Sequence, residues 1–363
     1  MNHESQVRYL NLISGRARGP LASLARAILG VASIPYSVGA FARSKAFDTG
    51  LIASEKVDGT VISVGNVTTG GTGKTPMVEY VARHIRNRGQ RVTIVSRGYG
   101  SGPDGGMNDE GLLLDANLTD VPHLQGPDRA SLARVAIDEL EAQVILLDDG
   151  HQHRHLARDL NIVLIDATNP FGYGWTLPRG LLREPLATGL RRADVVVLTR
   201  SDLVTPAERT RIRNKIARFT PQGMIWCEGV HRPLDLIDTV GSTLKPETIA
   251  GKNVVLFCGL GNPEAFRSTI ANLGATVIDV RWFPDHHLYS QNDLAELSRW
   301  VAASGADLVL TTQKDSVKLP VESLGGRPLL ALRIGMAFEH GEADFLGVLD
   351  NLLDARPTSD GAP

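Results

Sequence analysis

The stretch "SVGNVTTGGTGKTP", residues 63–76, constrains the chain more than any other. Before its glycines, "TVISV" is a short apolar, β-branched run that reads as a buried strand. After them Val78, Val81 and Ile85 recur on one helical face, and Gly89 stands where a helix C-terminus would place it. A glycine-rich turn between a strand and a helix turns its amides inward and, with the helix N-terminus, makes an anion cradle. Gly70, Gly71 and Gly73 let the backbone approach a ligand, Lys74 supplies positive charge to terminal phosphates, and Thr75 offers a hydroxyl to Mg²⁺. Thr68 stands where the strict pattern has its first glycine. The cradle needs amides there rather than a missing side chain, so Thr68, Thr69 and Thr72 are expected to join the nucleotide-binding loop.

"RVTIVS" supplies the next strand, and "QVILLDDG", "LNIVLIDA" and "ADVVVLTRSD" continue the β-branched runs of a buried parallel sheet. A second alternating set starts near Asn253, with helices from about Pro263 and Asp293. The expected fold is α/β: a P-loop NTPase-like parallel sheet domain, a second, smaller α/β domain, and an N-terminal amphipathic helix. Expected boundaries are 1–50 for a basic membrane-associating segment, 51–229 for the kinase-like domain, 230–335 for the smaller domain and 336–363 for a C-terminal helix and frayed tail. A length of 363 residues fits two domains.

The N-terminal segment stands apart. Six cationic residues among the first fifty, Arg8, Arg16, Arg18, Arg26, Arg43 and Lys45, face two acidic ones, Glu4 and Asp48. Leu21, Leu24, Ile28 and Val31 share a helical face behind Pro20, which suits a first turn. Arg26 and Pro35 make the run a poor spanning helix, and no secretory cleavage pattern follows it. Two readings stand: a helix packed on the body of the protein, and a basic interfacial helix on an anionic membrane surface.

Elsewhere the composition is that of a folded soluble chain, 42% hydrophobic and 21% charged. A net charge of −2 gives no pull toward nucleic acid. Cys227 and Cys258 are too few for a disulfide framework, which suits a reducing cytosol. "VILLDDG" ends a strand with Asp148 and Asp149, where a Mg²⁺ contact beside a phosphate loop is expected. The following "HQHRH" brings His151, His153 and His155 but no second cluster to complete a metal site. "CGLGNPE" lacks the third glycine of a dinucleotide fingerprint, and "LTRSD" departs from a guanine-reading motif at Thr199 and Arg200. "FPDHH", residues 283–287, joins a carboxylate to imidazoles and could supply a base for a hydroxyl acceptor.

Taken together, "SVGNVTTGGTGKTP", "SRGYG", "NDEG", "DDGHQH", "RDLNIVLIDATNPFGYGWTLPRGLLREPL", "FPDHH" and "TTQKDSVKL" resemble, in order and over most of the chain, the tetraacyldisaccharide 4′-kinases of lipid A synthesis. The resemblance implies ATP-dependent phosphorylation of the 4′-hydroxyl of an acylated glucosamine disaccharide at the cytoplasmic face of the inner membrane, with two α/β lobes and the active site between them. It implies that Lys74 and Thr75 hold ATP and Mg²⁺, that Asp148, Asp149 and Glu184 surround the metal, and that Arg183 stabilises the transferring phosphoryl group. It further implies that Asp109 pairs with His286 to activate the sugar hydroxyl. The departures, such as Asn108 and Gly111 around Asp109, Tyr173, Arg179 and Leu181, remove no charged group the chemistry needs.

The rival from another class is a nucleotide switch, a GTPase or membrane-associated ATPase. Its ATPase form carries a lysine two residues before Gly71, where this chain has Thr69, and its GTPase form needs a better base-reading motif than "TRSD". The expected partners are an acylated disaccharide lipid and a membrane surface, with no nucleic acid and no obligate protein partner.

Overall fold

The computed structural model describes residues 3–98, 109–260, 263–284 and 287–355. Two helices open the chain, α1 (His3–Ile13) and α2 (Pro20–Asp48). Then come β1 (Thr60–Asn66), α3 (Lys74–Asn87), β2 (Val92–Ser96), α4 (Asp109–Asn117), β3 (His123–Gln125), α5 (Arg129–Asp138) and β4 (Val144–Asp148). Next are β5 (Leu160–Asp166), α6 (Leu186–Leu190), β6 (Val195–Thr199), α7 (Pro206–Ile216), β7 (Ile225–Ile237) and β8 (Thr243–Leu244). The remainder gives β9 (Asn253–Cys258), α8 (Pro263–Asn272), β10 (Thr276–Trp282), α9 (Gln291–Ser304), β11 (Leu308–Thr312), α10 (Gln313–Ser316), β12 (Ser323–Leu324), β13 (Arg327–His340) and α11 (Glu342–Asp354).

The chain divides into two compact units: one of Met1–Tyr99, Leu118–His231 and Met336–Pro363, the other of Gly100–Asn117 and Arg232–Gly335. Helix α4, expected in the kinase-like domain, thus groups with the smaller unit. The last helix, α11, belongs to the larger one, where Phe345 stacks on Tyr80 of α3. The tail expected to fray, residues 356–363, lies outside the described residues.

In the larger unit the strands pair in the order β7-β6-β5-β1-β4-β2-β3, all parallel. β1, β4 and β6 are buried along their whole length, which is why they read as near-continuous apolar runs. Helix α3 turns Met77, Val78, Val81, Ala82 and Ile85 inward, the face expected from the sequence, and each large side chain contributes roughly 1.5–3 kcal/mol of burial. The central strand β1 lies between β4 and β5, with Val64 level with Asp148. The chain leaves β1 toward β2 on one side and meets β5 on the other, so the crevice of an open α/β sheet falls at the carboxyl end of β1.

The smaller unit has a parallel set in the order β10-β9-β11-β13, with β12 antiparallel to β13 and β8 antiparallel to the end of β7. Helix α9 starts at a reciprocal cap between Ser290 and Asp293 and stops at Gly305, whose φ of +73° suits glycine.

Helix α2 runs 29 residues, straight through Pro35, and is long and apolar enough to cross a membrane by length and composition. Its amphipathicity is turned outward. Leu21, Leu24, Ile28 and Val31 are 81%, 59%, 60% and 68% exposed, while Ser33 and Ser44 are buried. Ser33 Oγ donates to Thr176 O at 3.0 Å and accepts from Arg179 N at 3.0 Å, and Ser37 Oγ lies 2.6 Å from Thr176 Oγ1. Arg154 donates to Ser44 O at 2.8 Å and pairs with Asp48. A polar face therefore fastens the helix to the body, as one of the two readings has it, and the apolar face expected to pack points away from the body instead.

Candidate active site

The loop at residues 66–74 is built by its neighbours. Thr69 N donates to Leu181 O at 2.7 Å and Arg183 N to Val67 O at 2.9 Å, a short bridge that holds the "LLRE" segment alongside the loop. Asn66 Nδ2 donates to Thr72 Oγ1 at 2.8 Å, Thr199 Oγ1 to Thr72 O at 2.9 Å and Arg200 to Gly71 O at 2.9 Å. Arg200 is itself paired with Asp166. Thr199 and Arg200, read from the sequence only as a strand end, thus hold the phosphate loop, an arrangement set by partners 127 and 129 positions away.

Gly73 takes φ +87°, a conformation that favours glycine, and a Cβ there would lie 2.5 Å from the Nε2 of half-buried His231 and force that ring to shift. Cβ atoms at Gly70 or Gly71 would meet nothing within 4 Å, leaving that side of the loop open to a ligand. Helix α3 begins at Lys74 with no side-chain cap and no acidic residue in its first turn, so its amides and dipole are presented to an anion.

Beside the loop, Asp149 follows β4 in the left-handed region, with φ +51°, which aims its carboxylate at the cations around it. Arg183 donates to its two oxygens at 2.9 and 2.8 Å, Lys74 Nζ lies 3.7 Å away, and Arg129 donates to its main-chain oxygen at 2.9 Å. Burial pushes the Asp149 carboxyl up, but Lys74 and Arg183 together outweigh it and hold it below the usual carboxylate range. Asp149 is therefore ionised at neutral pH. Asp148, at the end of β4, is buried.

Glu184 is also buried, and both its oxygens accept from Arg192, at 2.7 and 3.0 Å, with Gln152 Nε2 at 3.2 Å. Gln152 bonds the loop through Asn66 O at 2.9 Å. Glu184 is thus tied to Arg192, a residue the sequence reading did not single out, and reaches the loop through Gln152.

The residues present fit a nucleotide with Mg²⁺. An open cradle, Lys74 and Arg183 suit a polyphosphate, and Thr75, Asp148 and Asp149 are hard oxygen donors. Among the described residues no three His, Cys, Asp or Glu side chains group to hold a metal. Mg²⁺ is held by one or two carboxylates together with substrate phosphates. His151 is packed away, its Nε2 3.2 Å from Gly189 O, and burial drives its pKa well below the ordinary imidazole value.

In the smaller unit, Asp109 opens α4 and its Oδ2 accepts from Lys318 Nζ at 3.2 Å. His286, expected as its partner, lies outside the described residues. His287 is described, and its Nε2 lies 3.2 Å from Asp293 Oδ2.

Residues 25–354 match the family model described as tetraacyldisaccharide-1-P 4′-kinase. A tetraacyldisaccharide 4′-kinase of Anaeromyxobacter sp. (strain Fw109-5) is 41% identical over 334 residues, covering 88% of this chain and 89% of that protein. The one of Syntrophus aciditrophicus (strain SB) is 38% identical over 352 residues, covering 89% and 92%. Among solved structures, LpxK from Aquifex aeolicus in complex with ATP aligns with a TM-score of 0.72 at 29% identity, over 90% of this chain and 99% of that one.

Proposed function

The chain belongs to the tetraacyldisaccharide-1-P 4′-kinase family, and we propose that it transfers the γ-phosphoryl group of ATP to the 4′-hydroxyl of a tetraacylated glucosamine disaccharide 1-phosphate, a step of lipid A biosynthesis. The observation that carries the reading is the open phosphate loop with Lys74, Arg183 and Asp149 gathered beside it. Amides of residues 68–75 and the α3 N-terminus hold the phosphates, and Lys74 and Arg183 meet the charge that develops on the transferring group. Mg²⁺, when bound, neutralises phosphate charge, and Thr75, Asp148 and Asp149 are the residues that would hold it. Glu184, tied to Arg192, keeps Gln152 and the loop in place beside them. Asp109, with His286, takes the proton of the acceptor hydroxyl.

The test is transfer of label from γ-labelled ATP to a detergent-dispersed acylated disaccharide. Turnover should rise sharply with the lipid acceptor. Hydrolysis indifferent to the acceptor and responsive to a protein partner would favour a nucleotide switch instead.

We further assign α2 to the surface of the inner membrane, at its cytoplasmic face where ATP is supplied. Support comes from the outward apolar face over inward serines, with Arg16 and Arg18 just ahead of the helix. Each of Leu21, Leu24, Ile28 and Val31 contributes up to roughly 1.5–3 kcal/mol on full burial, and less when insertion is partial. Arginines near anionic headgroups add about 1 kcal/mol each, a contribution that salt screens. Leu24→Asp with Ile28→Asp should lower binding to anionic liposomes on the order of tenfold or more and reduce activity on bilayer-presented substrate. Activity on detergent-dispersed substrate should change little, because both side chains point away from the body. Unchanged liposome binding by the folded double variant would remove α2 from membrane contact.

A further inference from the structure

The motif "TTQKDSVKL", residues 311–319, has no part in the steps above, yet it builds a buried charged cluster in the smaller unit. Thr312 ends β11 and its Oγ1 caps α10 by accepting from Asp315 N at 3.3 Å. Asp315 is wholly buried, and its Oδ2 accepts from Gly259 N at 3.0 Å and Thr312 Oγ1 at 2.6 Å. Lys318, one turn on and only 5% exposed, lies 3.5 Å from Asp315 Oδ1 and donates to His287 O at 3.0 Å and Asp109 Oδ2 at 3.2 Å. A buried carboxylate needs a counter-charge. Here one ammonium serves both Asp315 and Asp109.

The same motif grips the far end of α4. Gln313 and Asn117 exchange two amide hydrogen bonds, at 2.6 and 3.1 Å. Helix α4 is thus pinned at its first turn by Lys318 and at its last by Gln313, so the orientation of Asp109 is fixed from α10.

Resting on the reading of Asp109 as the base, we propose that Lys318 is a positioning residue for phosphoryl transfer, holding the Asp109 carboxylate ionised and oriented toward the acceptor hydroxyl. A cation beside a base lowers its basicity. That loss matters little here, because in a loose phosphoryl-transfer transition state the acceptor oxygen needs alignment more than early proton removal. Lys318 meets Asp109 directly, and among the described residues Asp315, Tyr289 and His287, the last paired with Asp293, gather around Lys318, while Glu110 follows Asp109 on α4. Lys318 places its ammonium 3.2 Å from the Asp109 carboxylate. Without that ammonium the carboxylate holds its proton to higher pH.

The test compares kcat against pH, at saturating ATP and detergent-dispersed lipid acceptor, for the full-length enzyme and its variants. Lys318→Met should lower kcat by about tenfold or more with the KM for ATP nearly unchanged, and should move the acid limb of the profile to higher pH. Lys318→Arg keeps the charge but alters the reach, so kcat falls while the limb stays in place. Should Lys318→Met fail to fold because Asp315 is left uncompensated, Asp315→Asn with Lys318→Met removes both buried charges and should show the same displaced limb. An acid limb at the wild-type position in the folded single or double variant overturns the proposal, as does full kcat in Lys318→Arg. Asp109→Asn is the reference that separates the two readings. Undiminished kcat there means that Asp109 is not the base, whereas a large fall there with an unmoved limb at position 318 sinks Lys318 alone.

Discussion

Lys74→Ala is expected to abolish phosphoryl transfer in a protein that still folds. The lysine is the first residue of α3, where alanine is at least as good a helix former, and among the described residues it pairs with Asp149 at 3.7 Å. Asp149 keeps its two hydrogen bonds from Arg183 after the substitution, so the local charge balance survives. The phosphoryl group has no such reserve. A positioned cation acting on developing charge is worth roughly 3–4 kcal/mol, by analogy with a single oxyanion donor, or about 10²- to 10³-fold in kcat. The measurement pairs a thermal melt with single-turnover transfer. Near-normal turnover in a folded Lys74→Ala enzyme would take the loop out of the mechanism.

The elements nearest this lysine were the most legible in the sequence, because their signals are local. The buried run of β1, the 3.6-residue recurrence of Val78, Val81 and Ile85, and the glycines between them each speak within a few residues of the feature they specify. What escaped was set by distant partners. The helix that opens at Asp109 falls within the bounds expected for the kinase-like domain, yet it joins the smaller unit, where Lys318 and Gln313, some 200 positions on, hold it. The long strands β7 and β13 mix buried positions with half-buried and exposed ones and carry Pro233, Pro328 and several charges, so neither reads as one continuous apolar run.

Helix α2 shows both sides of this. Its apolar face was legible at Leu21, Leu24, Ile28 and Val31, but the direction of that face was not. It is decided by Ser33 and Ser37 meeting Thr176, which lies 143 and 139 positions away. Similarly, Glu184 carries the charge expected of a metal neighbour, while the arginine that takes its oxygens is a mere eight residues on and gave no motif signal.

The largest loss is expected from Asp109→Asn, since an amide of the same size cannot accept the proton of the acceptor hydroxyl. General-base removal lowers turnover by roughly 10²- to 10⁴-fold, and ATP binding should be affected far less, because the phosphate loop is held by its own contacts from Asn66 to Thr72, Arg200 to Gly71 and Arg183 to Val67. The asparagine also meets Lys318 without a charge, which leaves the ammonium to Asp315 alone and makes the exchange a test of chemistry more than of folding. Comparing Asp109→Asn, His286→Ala and the double variant then decides whether the two act as one unit. If they do, the double variant is as slow as the slower single one, whereas multiplicative losses would mean that each contributes separately. The proton inventory gives a further discriminator. A kcat that loses its acid limb in Asp109→Asn but keeps it in His286→Ala assigns the titrating base to the carboxylate and leaves the imidazole to orient it. The reverse pattern would move the base to position 286 and leave Asp109 as its support.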